Sequence, residues 1–238
     1  MKKGHAASRR TLLKWGLCGL GGMALATLPK RLVAQTSGPK TLTFSADDIG
    51  IVNFALLLEE LEAAFYAAVL KSGKITDVKE QDYLKAIGTH EVTHVLALRE
   101  ALGGQATFQT KDLSFNTSGL NTLLKDRDTI LNTAVSLEDV GVHAYNGAGL
   151  SITNPAFLLA AGSIVSVEAR HAAGVRGLLQ RPTTEPASDR PVPDAELVTD
   201  LNPFKDRAYD ELYSPKQVVA IVGSLNLLNN PITGALVA

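Results

Sequence analysis

Glu91-Val92-Thr93-His94 and Glu168-Ala169-Arg170-His171 are two copies of one pattern, Glu-x-x-His. Each copy follows a lone glutamate at a matched distance: the stretch from Glu59 to Glu91 is nearly as long as the stretch from Glu138 to Glu168. An i, i+3 spacing sets the carboxylate and the imidazole on one face of a helix. Each half of the chain therefore reads as a glutamate on one helix followed by Glu-x-x-His on the next. A second echo runs through both halves: Tyr66 follows Glu59, and Tyr145 follows Glu138, at one and the same spacing, about two helical turns.

The neighbours of these glutamates make them expensive. Glu59 shares its helical face with Val52, Leu56, Ala63 and Tyr66, and Glu91 lies among Leu84, Ile87, Val95 and Leu98. Glu138 lies with Leu131, Val135, Val142 and Tyr145, and Glu168 with Ala161, Ile164, Ala172 and Val175. A carboxylate on an apolar stripe has to be paired or to bind a cation, because burying it alone is costly. One Glu-x-x-His is commonplace; two copies on equivalent helices, each preceded by a glutamate on an apolar face, are not. Four helices giving four carboxylates and two imidazoles to one interior form the ligand set of a di-iron or di-manganese carboxylate site. The predicted ligands are Glu59, Glu91, His94, Glu138, Glu168 and His171. Glu62, one turn beyond Glu59 on the same face, is the alternative to Glu59.

A rival motif overlaps the first copy. His90-Glu91-Val92-Thr93-His94 is a literal H-E-x-x-H, the arrangement of a zinc peptidase with two imidazoles on zinc and the glutamate as base. Its extended form fails, because Ala97 and Glu100 stand where Gly and His are required. Glu138 or Glu168 would have to supply the third ligand, and the second Glu-x-x-His would be left without a role. In the dinuclear reading His90 is incidental.

The pattern along the chain is helical. Apolar residues run almost all round Ile51 to Leu70, as in a helix buried inside a bundle, and Ser72-Gly73-Lys74 ends it. A second helix is predicted from Gln81 to Leu102, stopped by Gly103-Gly104. A third runs from Leu120 to Leu150, and Asn154-Pro155 opens a fourth that reaches Gln180. No run of strands is legible, so the class is all-α. Short connections inside each pair make two antiparallel helical hairpins. The polar stretch between them, about 17 residues, reaches roughly 55 Å when extended, enough to return along a helix roughly 30 Å long. It is the long crossover of a four-helix bundle. Residues 35–46 read as a linker, 47–180 as the bundle and 181–238 as a tail. Pro182, Pro186, Pro191, Pro193 and Pro203 make that tail extended, before Ser214-Pro215 caps a short helix to Leu228.

Positions 1–34 read as a targeting segment. Lys2, Lys3, Arg9 and Arg10 precede a short apolar run, Leu17 to Leu28, too short to span a bilayer. Ser8-Arg9-Arg10-Thr11-Leu12-Leu13-Lys14 is similar to a twin-arginine export signal, with Leu where Phe is common. Export to the periplasm or the exterior is the expectation, with no stable membrane span after cleavage. Cleavage near Ala34 removes seven basic residues and no acidic one, taking 23 basic against 24 acidic residues to 16 against 24. An acidic protein with no basic patch is not a nucleic-acid binder. The only cysteine, Cys18, leaves with the signal, so disulfides are excluded and any metal must use oxygen and nitrogen ligands.

The stretch Asn53-Phe54-Ala55-Leu56-Leu57-Leu58-Glu59-Glu60-Leu61-Glu62-Ala63-Ala64-Phe65-Tyr66 resembles the opening of the ferritin-like family that includes desiccation-related proteins. Leu137-Glu138-Asp139-Val140-Gly141-Val142-His143-Ala144-Tyr145 and Ser166-Val167-Glu168-Ala169-Arg170-His171 resemble it too. The likeness covers residues 47 to 180 and implies a ferritin-like four-helix bundle. By analogy with bacterioferritin-type sites it implies Glu59 and Glu138 as terminal ligands and Glu91 and Glu168 as bridges. His94 and His171 would each bind one of two iron or manganese ions. Tyr66 and Tyr145 would support the ligands or carry radical chemistry, or else serve as core residues. The implied partners are metal ions and dioxygen or peroxide, with self-association into a homo-oligomer left open. The expected activity is Fe(II) oxidation or peroxide and dioxygen chemistry in stress protection, against the alternative of a non-enzymatic desiccation or envelope-stress scaffold.

Overall fold

Each long helix begins where a short polar side chain can take up free backbone N–H groups. Helix α1 spans Asp48–Ser72: Asp47 Oδ1 accepts from Gly50 N at 2.8 Å, and Gly73, at φ 67, closes the far end. Helix α2 spans Val78–Leu102 and starts before the expected Gln81, because the Asp77 side chain accepts from the N–H groups of Lys79 and Glu80. The single helix expected over 120–150 is two helices, α3 (Thr117–Leu123) and α4 (Arg127–Ala148). Asp126 leaves the helical conformation and caps α4 by accepting from Thr129 N at 2.8 Å, so a local cap overrides the continuing apolar period. Helix α5 runs Pro155–Leu178 behind an Asn154 cap, and α6 runs Pro215–Leu225 behind a Ser214–Gln217 capping box.

The computed structural model describes residues 38–184, 187 and 210–238. The expected export segment and Pro186, Pro191, Pro193 and Pro203 of the tail lie outside the described residues. The architecture is an all-α four-helix bundle. Helices α1 and α2 pair as one hairpin and α4 and α5 as the other, and the hairpins meet through α1 against α4 and α2 against α5. Helix α1 has a buried residue on nearly every face, with Leu56, Leu57, Leu61 and Phe65 at most 2 % exposed. Each contributes about 1.5–3 kcal/mol of burial free energy.

The crossover between the hairpins is held by side-chain amides. Asn53 on α1 donates to Gln105 O at 3.1 Å and accepts from Thr107 N at 2.8 Å. Asn230, near the C-terminus, donates to Lys40 O and Asp112 O and accepts from Ser114 N. Inside the stretch read as a linker, Leu42 and Phe44 are buried. Strand β1 (Leu42–Thr43) pairs in parallel with β2 (Ile232–Thr233). The C-terminal segment thus straps the N-terminal strand and the crossover onto the bundle, with Val218 and Val222 of α6 buried. Among the described residues no helix is long and apolar enough to cross a membrane.

Candidate metal centre

The helix register carries Glu59, Glu62, Glu91, Glu138 and Glu168 to one interior, each at most 2 % exposed. His94 and His171 join them and are also buried. The side chains sort into two groups of potential cation ligands: Glu59, Glu91, His94 and Glu168, and Glu91, Glu138, Glu168 and His171. Glu91 and Glu168 belong to both groups; Glu59 and Glu138 each belong to one. Glu62 is buried beside them but belongs to neither.

The distances suit cations better than protons. His94 Nδ1 lies 3.1 Å from Glu59 Oε2 and 3.0 Å from both Glu91 Oε2 and Glu168 Oε1. His171 Nδ1 lies 3.0 Å from Glu91 Oε1, 3.1 Å from Glu138 Oε2 and 3.9 Å from Glu168 Oε2. One N–H cannot serve three oxygens. Glu91 Oε1 and both oxygens of Glu168 are buried with no hydrogen-bond partner: the close approaches of Glu91 Oε1 and Glu168 Oε1 to the imidazoles lie off the N–H direction. Neighbouring ligands about 2.1 Å from a common octahedral ion sit about 3.0 Å apart. The orphaned oxygens and the spacing are those of groups that could hold metal ions.

The charge balance agrees. Burial, then the charge of Glu168, pushes the Glu62 carboxyl well above its ordinary range. Burial likewise raises Glu168 and Glu138, and takes Glu91 up to about 7 against the pull of the adjacent imidazoles, His171 and His94. Burial works to lower both imidazoles. The surrounding carboxylates, which accept from the imidazoles and attract their charge, outweigh it, raising His171 to about 10 and His94 further still. The carboxylates of the two groups, Glu59, Glu91, Glu138 and Glu168, carry the formal charge of two divalent ions, and pairing of this kind is the condition for burying such charge.

Tyr66 and Tyr145 cross between the hairpins. Tyr66 on α1 donates its hydroxyl to Glu138 Oε1 on α4, and Tyr145 on α4 donates to Glu59 Oε1 on α1. Each tyrosine thus supports the glutamate of the opposite half, not the one two turns before it on its own helix. Both are fully buried, and burial followed by the adjacent carboxylate drives their hydroxyls well above the usual phenol range, so they stay protonated donors.

His90 corrects an expectation. It is not incidental: its Nδ1 lies 2.8 Å from His171 Nε2, with the two rings edge to edge, 19° from coplanar, at a 5.1 Å centroid distance. It also belongs to neither ligand group, so among the described residues nothing joins His90 and His94 to a third zinc ligand. Two further residue pairs were missed in the sequence. Glu60 accepts from Arg99 and from Thr110 Oγ1 at 2.7 Å, and Asp139 pairs with Arg176 at 2.7 Å. Both pairs pin a hairpin and obey the internal repeat: an acid stands directly after the first glutamate of each half, and an arginine follows each Glu-x-x-His at the same spacing.

A family model described as ferritin-like domain matches residues 47–181. The comparison with curated proteins finds no match to the chain.

Proposed function

Since the chain belongs to the ferritin-like domain family, we propose that its buried cluster binds two iron or manganese ions for Fe(II) oxidation or for dioxygen or peroxide chemistry. The observation carrying this reading is that Glu91 and Glu168 are shared by two otherwise separate four-residue groups, with three of their oxygens unpartnered. Glu59 and His94 would hold one ion, Glu138 and His171 the other, and Glu91 and Glu168 both. Bound there, iron or manganese supplies reversible electron transfer toward an oxidant, and carboxylate-rich ligation favours its oxidised states.

The chain's own groups set the conditions. Tyr66 and Tyr145 anchor the outer oxygens of Glu138 and Glu59, which leaves the inner oxygens to face the ions. The apolar stripes exclude bulk water and strengthen each electrostatic contact. Glu62 is buried beside Glu168, where burial and the neighbouring carboxylates push its carboxyl well above its ordinary range. The twin-arginine stretch Ser8 to Lys14 supports export and a protective role in the periplasm or outside the cell.

The test is metal content per chain after anaerobic Fe(II) or Mn(II) loading, beside Glu91→Ala and Glu168→Ala. About two ions per chain in the wild type, with neither position retained in either variant, is the expected result. No bound metal after loading would overturn the reading and leave a ferritin-like scaffold without metal chemistry.

A further inference from the structure

We propose that His90 is a positioning residue for His171. Its Nδ1 accepts a hydrogen bond from His171 Nε2–H and thereby makes the Glu138/His171 position the tighter of the two cation positions. The inference rests on the dinuclear reading above.

His171 turns Nδ1 toward Glu91, Glu138 and Glu168, so Nδ1 is the nitrogen that has to offer a lone pair to an ion. A neutral imidazole then carries its hydrogen on Nε2. His171 Nε2 lies 2.8 Å from His90 Nδ1, so His90 Nδ1 is the acceptor and His90 carries its own hydrogen on Nε2. An imidazolium at His171 in the metal-free protein donates from the same Nε2, so the contact serves the loaded and the empty centre alike. A hydrogen bond from the far nitrogen of a ligating histidine fixes ring and tautomer and raises the basicity of the ligating nitrogen.

The other half lacks this device. Matching Glu91 to Glu168 and His94 to His171 aligns α2 with α5 and sets Val167 in the place equivalent to His90. Val167 brings no acceptor to His94. Two ligand sets alike in their carboxylates therefore differ in the support given to the imidazole. His90 is exposed, so changing it leaves the core intact.

The experiment is an anaerobic Co2+ titration of the full chain, wild type, His90→Leu and His90→Asn, with Glu138→Gln as the reference for the affected position. Asn places Oδ1 where Nδ1 stood and keeps an acceptor. Two binding steps are expected in the wild type. His90→Leu should weaken by roughly 10- to 100-fold the same step that Glu138→Gln removes, leave the other unchanged, and be rescued by His90→Asn. Long-range 1H–15N spectra of the Zn2+-loaded protein should show His90 with bare Nδ1 and protonated Nε2. Two steps untouched by His90→Leu, equal weakening of both, or a protonated His90 Nδ1 would overturn the inference while sparing the dinuclear reading. Fewer than two Co2+ in the wild type would overturn both.

Discussion

The α1–α2 hairpin and the α4–α5 hairpin bring the same groups to the centre of the bundle. Each gives one glutamate, one Glu-x-x-His, one tyrosine that reaches across to the other hairpin, and one acid–arginine pair. They differ at two places close to the ions they would hold. His90 has Val167 as its counterpart, and Glu62 has Gly141. What repeats is the part that fixes geometry. What departs changes the surroundings of the ligands: His90 those of His171, and Glu62 with Gly141 those of Glu168. A pseudo-symmetric bundle can thus make its two positions unequal without disturbing the frame.

The largest effects separate shared from private ligands. Glu59→Gln and Glu138→Gln should each leave about one ion per chain, whereas Glu62→Gln should leave about two, as read by metal analysis after anaerobic loading. One ion after Glu62→Gln and two after Glu59→Gln would instead make Glu62 the α1 ligand. Next come the arginines. Arg176→Met removes an ion-pair partner of buried Asp139 and should cost up to about 3–5 kcal/mol in chemical denaturation. Arg99→Met should cost less, because Glu60 keeps the hydroxyl of Thr110 and the arginine is more exposed. Equal losses would mean that the two pairs contribute alike despite their burial.

Much of this was legible in the sequence because metal sites in bundles are built from helical spacing, and spacing survives in one dimension. The six predicted ligands meet because the matched stretches, Glu59 to Glu91 and Glu138 to Glu168, each return the chain to the same height on the neighbouring helix. The break at Lys125-Asp126 was hidden by apolar residues on both sides, with only the Asp cap to mark it. The strap of Leu42 and Phe44 onto Ile232 and Thr233 joins chain ends far apart in sequence, where periodicity says nothing. His90 was passed over because its partner, His171, lies on a different helix in the other half of the chain. The acid–arginine pairs did leave a signal, Glu60 with Arg99 and Asp139 with Arg176 in matched register. It went unread because single charges on amphipathic helices are usually solvated.

Removing metal should make stability pH-dependent in one direction. The Glu91 carboxyl, at about 7 when folded, exceeds its ordinary 4.5, so the folded chain binds more protons than the unfolded one between those values. Its contribution is complete below about pH 4.5 and is lost as pH rises through 7. His171, raised to about 10 from 6.5, acts the same way: its contribution is complete below 6.5 and is lost as pH rises through 10. The melting temperature of the metal-free protein should therefore fall from about pH 5 to about pH 8, and bound Mn2+ should flatten that fall. Parallel curves with and without metal would mean that the cluster does not control the dependence.

The smallest effect tests the second difference between the halves. A Cβ on Gly141 would sit 3.3 Å from Glu168 Oε2 and 3.4 Å from Glu62 Oε1, so the glycine makes the room that Glu62 uses. Alanine gains up to about 1 kcal/mol of helix propensity in α4. In the metal-free protein the carboxylates can shift by a few tenths of an ångström, so Gly141→Ala should change stability by no more than about 1 kcal/mol. With two ions bound as proposed, Glu168 would be held by both and could not withdraw, and Mn2+ affinity should drop. Removing the crowded neighbour should restore it: Glu62→Ala with Gly141→Ala should bind Mn2+ better than Gly141→Ala alone, a coupling of about 0.5 kcal/mol or more. Strict additivity would mean that Gly141 serves helix packing and that the asymmetry of the centre rests on His90 alone.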